Sequence, residues 1–507
     1  MAEPEGPIVL ASVTSATLLG VDGQVVTVEV HVSSGLPSYH VVGLPDAAVR
    51  ESRERVRAAV LSSGFKWPST RVTVNLAPSG VRKTGAGLDL AVALGVLVTT
   101  EVLPDAALDD VAVLGELGLD GGVRPVPGTL ALVSALARAG TRTFVVPAEN
   151  AAEAALVPNV VVHPARALGE LRACLKGEQA WPSVPPPPDP RPDEADDDDP
   201  LDLAEVRGLA WARRALEAAA AGGHHLLLSG PPGVGKTMLA RRLAAVLPDL
   251  SPDEALEVTR IHSVAGRVTR ALVRVPPYRS PHHTASVAAL VGGGTGTPRP
   301  GEATMAHRGV LFLDELGEFP PRALDALRQP LEERAVWIAR QAISLRFPAD
   351  FLLVACTNPC PCGLGPPKCG CGDGERARYR RRLSAPLLDR FDLRLAVRPP
   401  GPDDERGEPS RVVRARVVAA VGRQRSRLAG TPWRRNAHVP AGALQRFAPL
   451  DAAAHDAWRA ECEVRQLTGR GGARIRRVAQ TLADLDGVAT IAPEHIAIAS
   501  LLREDVP

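Results

Sequence analysis

The sequence predicts an α/β protein built from an N-terminal α/β domain, a central α/β core with a glycine-rich loop, and a C-terminal helical region. Three observations support this prediction. The chain has 507 residues, of which 45% are hydrophobic, so it is too long for one ordinary core and apolar enough to fold. Short strand-like runs alternate with helical runs up to about residue 400, and mostly helical patterns follow. A proline-rich, acidic stretch separates the first two parts.

This stretch, WPSVPPPPDPRPDEADDDDP, is the clearest domain boundary because it lacks the apolar periodicity that a core requires. We therefore expect an N-terminal domain in residues 1–180, a linker in 181–200, a core in 201–400 and a helical lid in 401–507. In the first domain, QVVTVEVHV and RVTVNLAP are strand-like, and DAAVRESRERVRAAVLSSG is helix-like. In the lid, EPSRVVRARVVAAVGRQRSRL and ARIRRVAQTLADLDG are the plainest helices.

Composition bounds the compartment and the partners. The first residues carry acids where a secretory signal needs bases, and no run of 18 or more apolar residues occurs, so we expect a cytoplasmic protein without a membrane partner. Seven cysteines in such a chain do not indicate a disulfide framework. Residues 1–200 hold 15 basic and 25 acidic residues, whereas residues 201–507 hold 44 basic and 32 acidic. The basic half indicates either a polyanionic partner or solvated arginines spread over many helices.

A glycine-rich loop follows a short apolar strand and opens a helix in HHLLLSGPPGVGKTMLARRLAAVL. This is the context that the phosphate-binding motif G-x-x-x-x-G-K-[ST] requires. The glycines let backbone N–H groups turn toward phosphate oxygens, Lys236 offers a charge to the outer phosphates, and Thr237 offers a hydroxyl to Mg²⁺. The predicted residues for ATP and Mg²⁺ are Gly230, Pro231, Pro232, Gly233, Val234, Gly235, Lys236, Thr237, Met238 and Asp314.

Two acids and an amide follow later strand-like runs. RGVLFLDELGEF predicts a strand over Val310–Leu313 that delivers Asp314 and Glu315 at its carboxyl end. Asp314 would hold Mg²⁺ through water, and Glu315 would orient or polarise the attacking water. FLLVACTN places Asn358 where an amide can sense the γ-phosphate, although an asparagine there could simply cap a turn.

This order of motifs resembles AAA+ ATPases, and two downstream segments extend the resemblance. In LSAPLLDRFDLRL, Arg390 stands where the family carries an arginine finger that reaches a neighbouring subunit's γ-phosphate, which implies a ring. In LTGRGGARIRRVAQTLADL, Arg470 is the better candidate for the sensor 2 position and Arg474 is the second. Either segment could instead present a surface arginine. The predicted catalytic residues are therefore Lys236, Asp314, Glu315, Asn358, Arg390 and Arg470.

Two additions to the core resemble the helix-2 insert and presensor hairpin of the AAA+ branch that includes MCM helicases and magnesium chelatase subunits. One is YRSPHHTASVAALVGGGTGTPRPGEATMAHRG, and the other is AVWIARQAISLRF, which predicts a hairpin with its turn near Gln341. In that branch such elements point into the pore of the ring. Alternatively, the paired histidines hydrogen-bond within the core. The candidate contacts to a threaded or encircled polymer are His282, His283, Arg299, Arg340 and Arg346.

Longer strings are similar to the ComM/YifB family, whose members are often described as magnesium chelatase-like. They include VTVNLAPSGVRKTGAGLDLAVALGVL, PGEATMAHRGVLFLDELGEF, ALRQPLEE and NPCPCG, and the resemblance covers nearly the whole chain except the linker. It implies an N-terminal Lon-protease-like domain of the ribosomal S5 domain 2-like fold, a hexameric AAA+ motor and a helical lid carrying sensor 2. It also implies DNA branch migration, a helicase-type activity, in recombination of incoming DNA during natural transformation, with recombination proteins as further partners.

A Lon-like domain raises the question of peptidase activity. Lon-type proteases use a serine that a lysine activates, because a hydroxyl is a poor nucleophile without an adjacent base. In this chain the matched positions fall on Gly87 and Leu132, whose side chains cannot do this chemistry. We therefore expect no peptidase activity and interpret the domain as an interaction, DNA-binding or ring-assembly module.

The remaining alternatives are a DNA motor and an AAA+ remodeller of protein complexes, chelatase-like or chaperone-like, without DNA translocation. A metal chelatase would need partner subunits. DNA is favoured by the run ERARYRRRLSAP, whose arginines would pair with phosphates, although the same helix could contact the next subunit. These arginines are Arg376, Arg378, Arg380, Arg381 and Arg382, of which Arg378 and Arg381 are the chosen candidates.

Four cysteines lie close together in NPCPCGLGPPKCGCGDG, between Asn358 and Arg390. The spacing C-x-C-x₆-C-x-C, with proline and glycine between the pairs, allows four sulfurs to converge on a structural Zn²⁺. The pairs are C-x-C and not the commoner C-x₂₋₄-C, so a reduced glycine-rich loop is the alternative. The candidate ligands are Cys360, Cys362, Cys369 and Cys371.

Overall fold

The computed structural model of the chain describes residues 9–80, 82–185, 201–266, 272–294, 298–340, 343–365, 368–399, 401 and 405–504. The side chains of Val9, Ala47, Arg340 and Ile343 are outside this description. Most of the predicted linker and the turn at Gln341 also lie outside the described residues. Among the described residues, no helix combines the length and the apolar character needed to cross a membrane.

The N-terminal part is a mixed α/β domain, as the strand-like and helix-like runs predict. Its elements are β1 (Val9–Leu19), β2 (Asp22–Ser33), β3 (Ser38–Val42), α1 (Ala47–Ser62), β4 (Arg71–Ala77), α2 (Asp89–Thr99), β5 (Val111–Val113), β6 (Glu116–Leu117), β7 (Val123–Arg124), α3 (Thr129–Arg138), β8 (Thr143–Pro147), α4 (Ala151–Ala154), β9 (Val161–Ala165) and α5 (Leu168–Leu175).

Seven of these strands form one sheet in the order β3-β4-β2-β1-β5-β8-β9. β1 and β2 form a long antiparallel pair, whose register places Val13 opposite Val28. Alternate residues of β2, Val26, Val28 and Val30, are fully buried, which is the period of a strand with one face on a core. The helix α2 is buried along its whole length and covers this face.

The central part carries the glycine-rich loop. Its elements are α6 (Ala210–Gly222), β10 (Leu226–Ser229), α7 (Lys236–Arg241), α8 (Leu243–Val246), α9 (Pro252–Val264), β11 (Tyr278–Arg279), α10 (Val287–Val291), β12 (Gly292–Gly293), β13 (Arg299–Pro300), α11 (Glu302–Met305), β14 (Val310–Leu313), α12 (Pro321–Ala326), α13 (Arg328–Glu333), β15 (Ala335–Arg340), β16 (Ile343–Pro348), β17 (Leu352–Thr357), α14 (Asp373–Arg381), α15 (Ala385–Leu388) and β18 (Leu393–Ala396).

Five short strands of this part form an all-parallel sheet in the order β11-β14-β17-β10-β18. Every residue of β10, β14 and β17 is buried, as expected for a parallel sheet covered by helices on both faces. The strand predicted over Val310–Leu313 has the observed bounds. The predicted hairpin is also confirmed, because β15 and β16 pair in antiparallel fashion, with Trp337 opposite Arg346.

The C-terminal part is helical, as its periodicity predicts. Its α-helices are α16 (Ser410–Arg427), α17 (Leu444–Phe447), α18 (Ala452–Val464), α19 (Gly469–Asp486) and α20 (Pro493–Leu501). The Thr468 hydroxyl caps the start of α19 by accepting from the Gly471 backbone N–H, and Gly487, in a left-handed conformation, ends the helix. Both α16 and α19 pack against α6, so the lid shares one hydrophobic core with the sheet.

The N-terminal domain docks onto the central core through the β1–β2 turn. Val21 is buried in a cluster with Leu345 and Phe347 of the β15–β16 hairpin. Beside it, Asp22 forms an ion pair of 3.1 Å with Arg260 of α9. The hairpin therefore contacts both domains.

Candidate active site

One edge of the parallel sheet gathers the candidate nucleotide-site residues. The glycine-rich loop follows β10, Asp314 and Glu315 follow β14, and Asn358 follows β17. These strands are parallel neighbours in the sheet, so their carboxyl ends meet at the same edge. This edge therefore brings together a helix N-terminus, a lysine, two carboxylates and an amide. Such a set of groups can bind a polyphosphate and a divalent cation.

The glycine-rich loop uses its glycines for two reasons. Gly233 and Gly235 have φ of 80° and 91°, a left-handed conformation that favours glycine. Gly230 does not have this conformation; a Cβ there would collide with the Val397 carbonyl oxygen. The loop therefore packs closely against the end of β18 while it turns into α7.

Lys236 is buried at the loop, where its Nζ donates to the carbonyl oxygens of Gly230 at 2.6 Å and Pro231 at 2.9 Å. It also lies 3.3 Å from Asn358 Oδ1, so the lysine and the amide face the same space. Burial lowers the pKa of Lys236, and the nearby acids Asp314 and Glu315 partly offset this effect.

Thr237 and Asp314 form the pair that could hold a divalent cation. The Thr237 hydroxyl donates to Asp314 Oδ2 at 2.9 Å, and Asp314 Oδ1 accepts from the Glu315 backbone N–H at 3.0 Å. A hydroxyl next to a carboxylate is the oxygen donor set that Mg²⁺ prefers, and bound phosphates and water complete its coordination. The two residues therefore fit the cation that the glycine-rich loop implies.

Glu315 is exposed at the site and has a positive φ of 51°, which is uncommon for a residue with a side chain. Its Oε2 lies 3.5 Å from His283 Nδ1. The sequence indicates that His283, in the insert, is a candidate contact to a polymer. In the structure it lies next to Glu315, the candidate residue for orienting water. The reason is the pairing of β11 with β14, since His283 follows the carboxyl end of β11.

The other predicted loop residues frame this site. Val234 is buried in the core, and Met238 exposes 38% of its surface beside Gly235. Pro232 contacts Gly363 of the cysteine-rich loop, where a Cβ would lie 3.0 Å from the proline ring. Leu209, which no sequence motif indicated, also has its side chain against Gly235.

The three arginines of the predicted finger and sensor 2 positions lie at the opposite edge of the sheet. Arg390 precedes β18 and forms an ion pair with Glu332. Arg474 donates to Asp389 at 2.6 and 2.9 Å, beside Arg390. Burial lowers the pKa of Arg390, and the charges of Arg474, Arg470 and Arg328 lower it further. A four-residue strand spans about 13 Å, so these arginines are separated from the glycine-rich loop of the same chain.

The other polymer candidates lie on the insert and the hairpin. Arg299 is exposed on β13, and Arg346 is exposed on β16. The Arg340 side chain lies outside the described residues. His282 is exposed, accepts or donates a hydrogen bond of 2.9 Å with the Thr284 hydroxyl, and packs its ring 4.1 Å from that of His283.

The basic run ERARYRRR forms α14, with its arginines in two kinds of surroundings. Arg376 pairs with Asp373, and Arg382 pairs with Glu318 at 3.0 Å. The remaining arginines of the run are exposed, and no ion pair is found for them within the described ranges: Arg378, Arg380 and Arg381.

Tyr379 anchors this basic helix to the edge of the sheet where Asp314, Glu315 and Asn358 lie, a role that no sequence motif indicated. The ring is buried against Gly317, where a Cβ would lie 2.5 Å from the tyrosine hydroxyl. Burial raises the pKa of the Tyr379 phenol, and hydrogen bonding with Thr357 and the Asn358 backbone partly offsets the shift. In the sequence, the one sign of this packing role is an aromatic residue within a run of arginines.

The four clustered cysteines converge. All four Sγ atoms lie within 4.8 Å of one another. Cys360 Sγ is 3.3 Å from Cys362 Sγ and 3.4 Å from Cys369 Sγ, and Cys362 Sγ is 3.8 Å from Cys369 Sγ. Thiolates about 2.3 Å from a tetrahedral Zn²⁺ are about 3.8 Å from each other, so this donor set fits the ion.

The Lon-type catalytic positions carry no catalytic side chain. A Cβ at Gly87 would lie 3.5 Å from the Val126 side chain, and Leu132 is buried in α3. The Gly87 position therefore lies against an apolar side chain, and Leu132 packs in a hydrophobic cluster that also contains Val126.

Comparison with protein families gives three matches along the chain. Residues 28–150 match the family described as subunit ChlI of Mg-chelatase. Residues 202–404 match magnesium chelatase, subunit ChlI, and residues 407–503 match the C-terminal region of that subunit.

Full-length relatives are found in several bacteria. An uncharacterized protein of Mycobacterium tuberculosis is 45% identical over 496 residues, 97% of this chain and 98% of that protein. The uncharacterized protein YifB of Escherichia coli is 40% identical over 497 residues, 96% of each chain. Competence protein ComM of Haemophilus influenzae is 39% identical over 502 residues, also 96% of each chain.

A shorter match, 30% identical over 189 residues, relates 33% of this chain to 34% of Lon protease 2 of Bacillus subtilis. Together these matches imply a nucleotide-hydrolysing protein that uses ATP and Mg²⁺. The chain belongs to the ComM/YifB family of magnesium chelatase-like AAA+ ATPases with an N-terminal Lon-protease-like domain.

Proposed function

We propose that the chain is an ATP-driven motor that assembles as a homo-hexamer and acts on DNA, in branch migration during recombination of incoming DNA. The observation that carries this proposal is the separation of the site into two edges. Lys236, Asp314 and Asn358 lie at one edge, and Arg390 lies at the other. Since Arg390 is far from the nucleotide site of its own chain, it would complete the site of a neighbour.

Within the proposed site, each residue has a distinct task. Backbone N–H groups of the loop and Lys236 bind the phosphates, and Thr237 with Asp314 positions Mg²⁺, which neutralises charge on the β- and γ-phosphates when bound. Glu315 orients the attacking water, and Asn358, 3.3 Å from Lys236, contacts the γ-phosphate. Arg390 of the next subunit stabilises the charge of the transition state.

DNA as the substrate is supported by three features. The H. influenzae relative is named a competence protein. Arg299 and Arg346 are exposed on the insert and the hairpin, and Arg378 and Arg381 are exposed on α14. Exposed arginines on three elements of a basic chain half suit a phosphate backbone, and binding through them would weaken steeply with salt.

The test is ATP turnover with and without single-stranded DNA and four-way junctions. Lys236→Ala and Glu315→Gln should abolish turnover, and junction arms should be displaced only with hydrolysable ATP. Normal turnover in either variant would refute the assigned site. Stimulation by a protein partner, with none by any DNA, would replace the motor by a remodeller of protein complexes.

We also propose that Cys360, Cys362, Cys369 and Cys371 hold a structural Zn²⁺. The support is the convergence of four sulfurs within 4.8 Å in a loop that contacts Pro232. Protein purified without chelator should contain about one zinc per chain. Replacing all four cysteines by serine should remove the metal and reduce oligomerisation or DNA-stimulated turnover while ATP still binds. Less than about half an equivalent of zinc in the unaltered protein would count against the site.

A further inference from the structure

A cavity of about 80 Å³ lies at the amino ends of β14 and β17, the ends opposite to the glycine-rich loop. Gly309, just before β14, and Phe351, just before β17, line it on the side of the sheet. The connection from α8 to α9 lines a second side, and the lid segment between α16 and α17 lines a third. About 15 Å³ of such space holds one water, so the cavity has room for several waters or one small polyatomic ion.

The carboxylates that line this cavity already have arginine partners. The pairs are Asp249 with Arg414, Glu254 with Arg434, and Asp350 with Arg308. With the neighbouring partners of these groups, the cluster contains four acids and a larger number of arginines. The acids are Asp249, Glu254, Glu257 and Asp350, and the arginines are Arg308, Arg334, Arg414, Arg425, Arg434 and Arg435. The surroundings of the cavity therefore carry an excess of positive charge.

Arg435 is the arginine of the cavity that lacks a carboxylate. Within the described ranges, no ion pair and no hydrogen bond is found for its guanidinium, and its Nη1 is shielded from water. Burial lowers the pKa of Arg435 to about 10, so the group is still charged at neutral pH. A shielded charge without a counter-ion is unfavourable, because nothing replaces the hydration that it loses. An anion in the cavity would remove this cost.

His438 is the second polar side chain that lines the cavity from the lid. Its Nε2 lies 3.7 Å from Asp350 Oδ1, and its Nδ1 is shielded from water without a hydrogen-bond partner in the described part of the chain. Burial lowers the pKa of His438 to about 3, so the ring is neutral at pH 7. In a neutral ring, Nδ1 either donates to an oxyanion or accepts from the hydroxyl of a protonated one.

We propose that this cavity binds a small oxyanion of the phosphate class, which pairs with Arg435 and hydrogen-bonds with His438. The planar guanidinium offers parallel N–H donors that match two oxygens of such an ion. The Arg434 side chain is 49% exposed, so the ion can enter from solvent. Arg435 and His438 belong to the lid and the sheet side of the cavity belongs to the core, so the bound ion stabilises the contact between them.

The test is thermal unfolding of the full-length protein in inorganic phosphate and in sodium chloride of equal ionic strength. All samples carry Lys236→Ala, which weakens phosphate binding at the glycine-rich loop. Saturating phosphate should raise the Tm of this protein by about 2–4 °C more than it raises the Tm of Lys236→Ala/Arg435→Met. This difference excludes the general stabilisation by phosphate, which both proteins share. Arg459→Met, which changes an exposed arginine on α18, should keep the full rise.

Calorimetric titration with phosphate gives a second measurement that does not depend on how Arg435→Met folds. The Lys236→Ala protein should bind about one phosphate per chain. Arg435→Lys keeps the charge and loses the planar fork, so it should bind phosphate about five-fold or more weakly. Thymidine 5′-monophosphate as the probe distinguishes the source of the anion. An Arg435-dependent rise with inorganic phosphate assigns a free ion, and one with the nucleotide alone assigns the phosphate group of a larger ligand.

Three results would overturn the inference. One is an equal rise in Tm with and without Arg435→Met. Another is the absence of saturable binding of either probe, which would leave water as the content of the cavity. The third is an affinity for phosphate in Arg435→Lys equal to that of the protein with Arg435.

Discussion

Arg470 and Arg474 lie one turn apart on α19 and have different surroundings. The Arg474 side chain exposes 9% of its surface and forms two hydrogen bonds with Asp389, while its Nε lies 3.5 Å from Asp392. Arg470 is exposed near the start of the helix. Both lie near Arg390. The assignment of sensor 2 to Arg470 stays a prediction, and measurements of unfolding free energy and ATP turnover in variants of each arginine can distinguish the two residues.

We expect Arg474→Ala to lower the free energy of unfolding by about 2–3 kcal/mol, because it leaves two carboxylates without their buried partner. The loss is below that of a fully buried pair, since Asp389 exposes 41% of its side chain to water. Urea unfolding measures it. The matched control is Arg459→Ala, whose ion pair with Glu463 is 70% exposed on both sides and should contribute less than about 1 kcal/mol.

Arg470→Ala should leave the unfolding free energy unchanged and reduce ATP turnover of the assembled protein. Equal turnover in Arg470→Ala and the unaltered protein would transfer the sensor 2 role to Arg474 or remove it from this helix.

At the scale of elements, α14, which contains the basic run, connects the cysteine loop with the edge of the sheet where Asp314, Glu315 and Asn358 lie. The loop begins two residues after Asn358, and Tyr379 of α14 returns the chain to Gly317, which is two residues after Glu315. Arg378 and Arg381 on this helix are exposed, while Tyr379 is buried. A force applied to these arginines would therefore reach Gly317 and Glu318 through the Tyr379 ring and through the hydrogen bonds of Arg382 with Gly317 and Glu318.

Tyr379→Ala should reduce ATP turnover by about ten-fold or more, because small displacements of catalytic groups have large rate effects. It should also cost about 3 kcal/mol of stability through the cavity that it leaves. Tyr379→Phe keeps the ring contact with Gly317 and loses the hydroxyl with its hydrogen bonds to Thr357 and the Asn358 backbone, so it should keep most of the turnover and cost only about 1 kcal/mol of stability. Equal turnover in Tyr379→Ala and Tyr379→Phe would show that the ring does not position the site.

At the scale of the whole molecule, two arrangements suit an assembly. The glycine-rich loop and Arg390 lie at opposite ends of the parallel strands, so a head-to-tail contact between copies would bring them together. Val21 of the N-terminal domain packs with Leu345 and Phe347 of the β15–β16 hairpin. A movement of the hairpin would therefore change contacts in both domains. The predicted boundaries at residues 180, 200 and 400 are compatible with these contacts and stay predictions.

Mixing Glu315→Gln with Arg390→Ala tests whether two subunits share a nucleotide site. Each variant alone should be inactive in ATP turnover. In a mixed ring, an interface that pairs the intact Glu315 of one chain with the intact Arg390 of the other is complete, which gives up to about a quarter of the normal turnover at equal amounts. No recovery, in mixtures shown by sedimentation to co-assemble, would mean that Arg390 does not act across a subunit boundary.

Much of the fold and many residues of the candidate site could be predicted because local rules determine them. Strands β10 and β14, the glycine-rich loop and the amphipathic helices are each visible as a period or a motif within a few residues. In the structure, parallel pairing of these strands with β17 then places Lys236, Asp314 and Asn358 at one edge. Residues such as Tyr379 and Leu209 were missed because their contacts join segments that are distant in sequence.

The sequence by itself determined the chemical groups of this protein: a glycine-rich loop, a pair of acids, an asparagine, arginines and four cysteines. Only the tertiary structure decided which of them meet. It placed His283 against Glu315, gathered Arg390 with Arg474 away from the glycine-rich loop, and brought the cysteine loop to Pro232. The physical reason is that strand order, which sets these neighbours, depends on how whole elements pack and leaves no local pattern in the chain.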